Sequence, residues 1–199
     1  SIHSILNFCI TFVVRLRYNT MSQKVLLNNK EVNIILHRLA CQLIEKHTDF
    51  SSTVLIGLQP RGIFLAQRLK LILIHDYNIP NIQLGLLDIT FYRDDFRRSD
   101  KLHEANSTEI DFLIENKHVV FIDDVLYTGR SIRSALTAIQ SFGRPAGIEL
   151  LTLIDRRFSR HLPIQPDYRG RQVDAINDEK VLVNWKETNG EDVVYLVNN

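Results

Sequence analysis

Cysteine is scarce in this chain, and the two cysteines it has are isolated. Neither Cys9 nor Cys41 has another cysteine or a histidine at the spacing of a metal site. A disulfide-stapled secreted scaffold needs many more cysteines, so this class of protein is excluded. Two ordinary thiols are typical of a reducing compartment, and we expect a cytoplasmic protein.

The chain also lacks an excess of charge of either sign. Its 24 lysines and arginines nearly balance its 23 aspartates and glutamates, which leaves a net charge of +1. An overall field that attracts nucleic acid is therefore excluded, and any such surface must be a local patch. With 199 residues, of which 45% are apolar, the chain is long enough for one domain with a sizeable core.

Long apolar runs are absent as well. The apolar stretch at residues 10–14 is followed by Arg15 and Arg17. A signal peptide carries its positive charges before its apolar run, and a membrane helix needs about 20 apolar residues, so we expect no membrane association. Met21 is the only methionine and is followed by a stretch typical of a natural start. We take residues 1–20 as an extension outside the fold and residues 21–199 as one domain.

Short apolar runs alternate with segments of helical periodicity along the rest of the chain. Strands are predicted at residues 53–58, 83–91, 119–122, 148–154, 181–185 and 193–197. Helices are predicted from Asn29, which would cap the first, and at residues 63–75 and 131–142. The alternation predicts an α/β fold with a mostly parallel central sheet flanked by helices. Ligands of such sheets bind beyond the carboxyl ends of the strands.

Two adjacent carboxylates follow one of these strands, and a helix begins shortly after them. Asp123 and Asp124 can accept hydrogen bonds from two vicinal ribose hydroxyls. The next helix opens at residues 128–131, and the free N–H groups of a helix N-terminus suit a phosphate dianion. Gly129 lets the backbone approach that phosphate closely. An acid pair alone is typical of a polar strand end, and the turn alone of a helix cap. The complete string predicts a site for a phosphorylated ribose.

Residues 122–131 (IDDVLYTGRS) resemble the phosphoribosyl diphosphate (PRPP) signature of type I phosphoribosyltransferases. The Val-Leu-Tyr after the acid pair resembles one branch, the bifunctional pyrimidine operon regulators and uracil phosphoribosyltransferases known as PyrR. Residues 56–63, 87–95 and 162–168 are similar to that branch too, and the resemblance runs from about Met21 to Leu196. It implies the type I phosphoribosyltransferase fold, with a small C-terminal hood from about residue 156.

The resemblance implies transfer of the phosphoribosyl group of PRPP to uracil, giving UMP and diphosphate. Asp123, Asp124 and Arg61 would be the catalytic residues. The implied PRPP and UMP contacts are Pro60, Arg61, Gly62, Arg93, Asp123, Asp124, Val125, Leu126, Tyr127, Thr128, Gly129, Arg130 and Ser131. Arg93 would come from a loop that closes over PRPP. Pro60 stands where the family more often has threonine, which removes one backbone donor. Magnesium would be bound mainly through PRPP and water, with no protein cage of metal ligands.

Base recognition and regulation follow from the same resemblance. Uracil would be recognised by Ile154, Asp155 and Arg156, although this chain is one residue longer there than the family's Asp-Arg-Gly pattern. An RNA surface, for a leader mRNA, would include His37, Arg156 and Arg160. His37 and Cys41 depart from the threonine and histidine of RNA-binding members. We expect a homodimer or a higher homo-oligomer.

Two alternatives stay open at this point. The chain could be an RNA-binding transcription attenuator whose pocket senses nucleotides with little catalysis. It could also be a phosphoribosyltransferase for another base.

Overall fold

The structure, a computed structural model, describes residues 23–92, 107–175 and 179–198. The predicted extension at residues 1–20 and the predicted PRPP contact Arg93 lie outside the described residues. The strands are β1 (Gln23–Leu27), β2 (Thr53–Leu58), β3 (Gln83–Leu87), β4 (His118–Leu126), β5 (Gly147–Arg156), β6 (Tyr168–Val173), β7 (Glu179–Asn184) and β8 (Val193–Asn198). The helices are α1 (Asn29–His47), α2 (Gly62–His75), α3 (Arg130–Ile139) and the short α4 (Lys186–Asn189).

The central sheet has five parallel strands in the order β3-β2-β4-β5-β6, as the alternation predicted. All six residues of β2 are buried, which explains its unbroken apolar sequence: both faces of a parallel sheet are covered. The helices α1 and α2 pack on one face through residues such as Leu39 and Leu69. The helix α3 packs on the other face through Ile132 and Ile139. No helix in the described parts of the chain is long and apolar enough to cross a membrane.

The first helix is capped by Asn28, not by Asn29 as predicted. The Asn28 side chain accepts a hydrogen bond from the Glu31 backbone N–H at 3.0 Å. The Glu31 carboxylate in turn accepts from the Asn28 backbone N–H at 2.8 Å. This reciprocal capping box needs a glutamate three residues after the cap, and only Asn28 has one at that spacing.

Several predicted bounds were wrong near the ligand edge of the sheet. The strand β4 does not stop at residue 122 but continues through the acid pair to Leu126, because Asp123 and Val125 remain paired with β5. The strand β3 ends at Leu87, where the Asp88 carboxylate accepts hydrogen bonds from Thr90 and starts a 3₁₀ turn. The predicted helix at residues 131–142 ends as an α-helix at Ile139 and closes with a 3₁₀ turn.

The region after residue 156 is not one separate unit. The strand β6, which the sequence did not indicate, pairs with β5 in the central sheet. The strands β7 and β8 form an antiparallel sheet with β1 from the other end of the domain, in the order β1-β8-β7. Arg68 of α2 links the central domain to this second sheet. Its guanidinium carbon lies 4.8 Å from the centre of the buried Trp185 ring, and the guanidinium pairs with Glu187 and Asp192. The expected hood is therefore built from both ends of the domain.

Candidate active site

The loop after β2 lies directly against the carboxyl end of β4. A Cβ atom on Gly62 would come 2.3 Å from the carbonyl oxygen of Ile122 and 3.0 Å from the Asp123 Cα. Glycine is the residue that permits this approach, because backbone atoms cannot move aside as a flexible side chain can. The preceding Gln59–Pro60 peptide bond is cis. The predicted diphosphate loop, Pro60 to Gly62, therefore adjoins the predicted ribose-binding acid pair.

Arg61 connects this loop to the acid pair and to the second sheet. Its Nε lies 2.9 Å from the Asp124 Oδ2, and its Nη2 donates to the Val183 carbonyl oxygen at 2.5 Å. The Asp124 side chain is only 7% exposed, whereas that of Arg61 is 49% exposed. A planar cation is thus held at the mouth of the site, beside the carboxylates. A planar guanidinium of this kind is suited to phosphate oxygens.

The acid pair is electrostatically perturbed. Burial raises the pKa of Asp123 well above its usual range, and the neighbouring Asp124 charge raises it further. Burial also raises the pKa of Asp124, although the Arg61 charge partly offsets this effect. The Asp124 backbone N–H donates to the Asp123 Oδ1 at 2.9 Å. Asp123 is partly exposed and Asp124 is buried, and few donors lie near them, so both carboxyl groups are suited to accept hydrogen bonds such as those of ribose hydroxyls.

A cavity of about 250 Å³ opens between Asp123 and the start of α3. Gly129 precedes α3 with a φ of +90°, in the left-handed region that favours glycine. The free N–H groups of the α3 N-terminus lie at this turn. The cavity is lined by Asp123, Val125, Leu126, Tyr127, Thr128, Gly129, Arg130, Ser131 and Ile132. The structure thus gathers the predicted phosphate residues around one cavity, while Asp124 pairs with Arg61 beside it.

The predicted base-binding segment ends the strand next to β4. Ile154 and Asp155 are in register with Val125 and Leu126, so the two loops leave the sheet side by side. The guanidinium carbon of Arg156 lies 4.0 Å from the centre of the Tyr127 ring, a cation–π contact. Burial lowers the pKa of Arg156. The segment therefore contacts residues 127–131, the predicted phosphate loop, through Tyr127.

The predicted RNA contacts do not lie together. Arg156 is buried and Arg160 is mostly covered, and both lie at the carboxyl edge of the sheet beside the phosphate loop. His37 lies against the other end of α2, where its Nε2 is 3.8 Å from the Asp76 Oδ2. The 14 residues of α2 span about 20 Å at 1.5 Å per residue, and its first residue contacts the acid pair. His37 is thus remote from the cavity.

Two buried polar side chains at this edge were not among the predicted site residues. Gln59 directly follows β2, and its side-chain amide donates to the Ser107 carbonyl oxygen at 2.8 Å. Asp88 directly follows β3, and its Oδ2 is buried with no hydrogen-bond partner among the described residues. The position of each residue after a parallel strand was the signal that could have identified both.

The acid pair also bears on metal binding. The described residues contain no group of three or more histidine, cysteine, aspartate or glutamate side chains that could hold a metal ion. Magnesium commonly takes one or two carboxylates together with substrate phosphates and water. The two carboxylates here fit a magnesium ion whose remaining ligands come from a phosphorylated substrate.

Comparison with known proteins defines the class of this site. The family model described as "Phosphoribosyl transferase domain" matches residues 22–187, which include both loops and the acid pair. The chain is thus a phosphoribosyltransferase. Solved structures agree in fold: the hypoxanthine phosphoribosyltransferase of Trypanosoma cruzi has a TM-score of 0.68 at 17% identity, covering 92% of this chain and 94% of that one. A hypoxanthine phosphoribosyltransferase of Staphylococcus aureus has a TM-score of 0.61 at 22% identity, covering 89% and 93%.

Curated relatives narrow the class. The "Bifunctional protein PyrR" of Desulfosudis oleivorans is 45% identical over 168 residues, covering 84% of this chain and 92% of that protein. The protein of the same name from Elusimicrobium minutum is 40% identical, covering 88% and 97%. The chain belongs to the PyrR family of phosphoribosyltransferases, which confirms the resemblance of the signature and its Val-Leu-Tyr.

Proposed function

We propose that this chain transfers the 5-phosphoribosyl group of PRPP to uracil, forming UMP and diphosphate. The observation that carries the proposal is the continuity of the site: the acid pair on β4 leads into the Gly129 turn, with Arg61 beside it. The PyrR relatives support a pyrimidine base over a purine, since their similarity far exceeds that of the hypoxanthine enzymes.

Different residues would bind different parts of the substrates. The α3 N-terminus, with Thr128 and Ser131, would hold the 5′-phosphate, and the acid pair would hold the ribose hydroxyls. Arg61 would hold the diphosphate, and the backbone after Ile154 would hold uracil beside C1′. The bond from C1′ to the diphosphate oxygen breaks, the bond from C1′ to uracil N1 forms, and the N1 proton is lost. Magnesium, held mainly by the substrate, would supply positive charge that offsets the diphosphate. Catalysis rests on positioning and electrostatics, without a protein nucleophile.

A steady-state assay tests this proposal directly. Purified protein is supplied with PRPP and magnesium and, in parallel, with uracil, hypoxanthine, guanine or orotate. We expect turnover with uracil and little with the other bases. Faster turnover of a purine or of orotate would show that this base, and not uracil, is the substrate. Binding of UMP without turnover of any base would favour the nucleotide-sensing alternative.

A second function is regulation through RNA, which the word "bifunctional" in the relatives' name supports. RNA bound at the carboxyl edge of the sheet, where Arg156 and Arg160 lie beside the phosphate loop, would be coupled to the bound nucleotide. Filter binding with the leader RNA of a pyrimidine operon, titrated against salt and UMP, tests it. Because phosphate contacts carry much of such affinity, binding should weaken steeply with salt. We expect weak RNA binding, and nanomolar affinity strengthened by UMP would make regulation the primary role.

A further inference from the structure

Arg160 connects the phosphate loop to the base-binding segment. Its Nη1 donates to the Tyr127 carbonyl oxygen at 2.6 Å, and its Nη2 donates to the Asp155 Oδ1 at 2.5 Å. The Nη2 also reaches the Arg156 carbonyl oxygen at 3.4 Å. Tyr127 follows β4 and Asp155 lies in β5, so one guanidinium bridges the carboxyl ends of two neighbouring strands. Lysine could not reproduce this planar two-ended contact.

The contact determines the direction of peptide groups in the phosphate loop. The Thr128 carbonyl oxygen, next to that of Tyr127, accepts a hydrogen bond from the His161 backbone N–H at 3.0 Å. In a planar trans peptide the N–H points opposite to the C=O. Fixing these two carbonyls on residues 160–161 therefore directs the N–H groups of Thr128 and Gly129 away from them. The cavity is lined by those loop residues and by none of residues 160–164.

The same segment also restrains the turn itself. A Cβ atom on Gly129 would lie 3.4 Å from the Ile164 side chain and 3.8 Å from the Arg160 Cδ. Residues 160–164 thus lie beside the turn that precedes α3 and fill the space that a side chain at position 129 would enter. The Arg160 side chain is 20% exposed and Asp155 is 5% exposed, so this charged contact is largely shielded from water and salt.

We propose that Arg160 is a positioning residue for phosphoribosyl transfer, which aims the phosphate loop and sets its distance from the base-binding segment. The proposal rests on the proposed function for its substrate. It gives Arg160 a role in nucleotide binding in place of the RNA contact expected from the sequence. Arg160 acts through the Tyr127 carbonyl and Asp155 and does not itself contact the ligand.

Two substitutions and a matched control test the role. Arg160→Lys keeps the charge and loses the fork, and Arg160→Gln removes the charge. Arg38→Lys is the control. Arg38 lies on α1, away from the cavity, and its guanidinium also donates to two backbone carbonyls, those of Arg169 and Gly170. For each protein we would measure the Kd of PRPP with magnesium and of UMP by calorimetry, kcat and KM with uracil, and the thermal midpoint.

We expect Arg160→Lys to raise the Kd of PRPP and UMP and the KM of PRPP by about tenfold or more, the scale of a lost charged hydrogen bond. We expect kcat to change much less and the thermal midpoint to stay near that of the wild type. Arg38→Lys should match the wild type in Kd and KM. If Arg160 had a merely structural role, Arg160→Lys would lower the thermal midpoint and the active fraction while Kd and KM stayed unchanged. That outcome would overturn the proposal.

The remaining outcomes separate this proposal from the proposed function. If Arg160→Gln does not fold, the Kd and KM values of Arg160→Lys alone test the role of Arg160. If the wild type binds PRPP but uses another base, uracil is wrong as the substrate, while the PRPP Kd values still support or overturn the role of Arg160. Unchanged PRPP and UMP binding with weakened leader RNA binding would overturn the proposal in favour of the RNA contact. A wild type that binds neither PRPP nor UMP would overturn both.

Discussion

Arg61 pairs with Asp124 at 2.9 Å while it donates to the Val183 carbonyl oxygen in the second sheet. Three segments that are distant in the sequence therefore meet at one guanidinium. A ribose hydroxyl that donates to Asp124 competes with Arg61 for the same carboxylate. Under the proposed function, we predict that ligand binding exchanges the Asp124 contact of Arg61 for a contact to diphosphate, which the half-exposed arginine side chain can reach.

This geometry predicts the effect of removing either partner. We expect Asp124→Asn and Arg61→Ala each to lower kcat/KM with uracil about 100-fold, if each loses about 3 kcal/mol of transition-state stabilisation. Steady-state kinetics measures the loss. Asp49→Asn, which changes an exposed aspartate in the turn before β2, is the control and should retain wild-type kinetics. Wild-type kinetics in either site variant would refute its assigned role.

The close approach of Gly62 to β4 predicts a severe effect from one methyl group. We expect Gly62→Ala to destabilise the fold by about 1–3 kcal/mol, because the new Cβ would overlap the Ile122 carbonyl oxygen. PRPP affinity should fall as well, since relief of the overlap moves Arg61 away from the acid pair. Urea unfolding and calorimetry would measure the two effects. Gly147→Ala is the matched control, because its Cβ would meet only the His118 ring at 3.2 Å. Equal stability of the two variants would contradict the tight contact.

A buried histidine at the opposite edge of the sheet predicts how stability depends on pH. Burial lowers the pKa of His47, although the adjacent Glu149 partly opposes the shift. The unfolded chain then takes up a proton more readily than the folded one, so stability is present above the unfolded pKa of about 6.5 and falls as pH drops below it. The His47 Nδ1 lies 3.0 Å from the Thr53 hydroxyl, and its Nε2 lies 3.0 Å from the Glu149 carboxylate.

We therefore expect the free energy of unfolding to decrease from pH 7 to pH 5.5, and His47→Gln to flatten this slope. Urea denaturation at several pH values measures both. His75→Gln, which removes an exposed histidine at the end of α2, is the control. An unchanged slope in His47→Gln would show that another group causes the dependence.

The start of the described fold predicts where truncation begins to matter. We expect deletion of residues 1–20 to leave the thermal midpoint and the activity intact, because β1 begins only at Gln23. Deletion of residues 1–27 keeps the Asn28 cap but removes β1, its pairing with β8 and the buried Leu27, and should lower the midpoint markedly. A large loss from the shorter deletion would show that residues 1–20 stabilise the fold.

The sequence was informative wherever the signal was local. Apolar runs such as Thr53–Leu58 identified the parallel strands, because strands covered on both faces need no polar alternation. The acid pair and the Gly129 turn were recognised for the same reason, since they lie within the nine consecutive residues 123–131. The capping box of Asn28 and Glu31 was also readable, but the adjacent Asn29 was chosen instead.

The rest depends on contacts between distant segments. The strand Tyr168–Val173 lies at the edge of the central sheet and buries only its first and last residues, so its sequence, YRGRQV, carries no strand pattern. The pairing of Arg61 with Val183 and the bridge made by Arg160 depend on how sheets and loops pack. No spacing along the chain encodes these partners.

The pairing of β1 with β8 has a consequence for synthesis on the ribosome. Among the described strands β1 has only β8 as a neighbour, and β8 ends at Asn198. Once Val173 has emerged, all five parallel strands are available to pair, whereas β1 can pair only after β8 has been made. Arg61 gains its Val183 contact only in that final stage, since β7 is held by β8. The Arg61 side of the ligand site is therefore completed only after the central sheet and the acid pair beneath it.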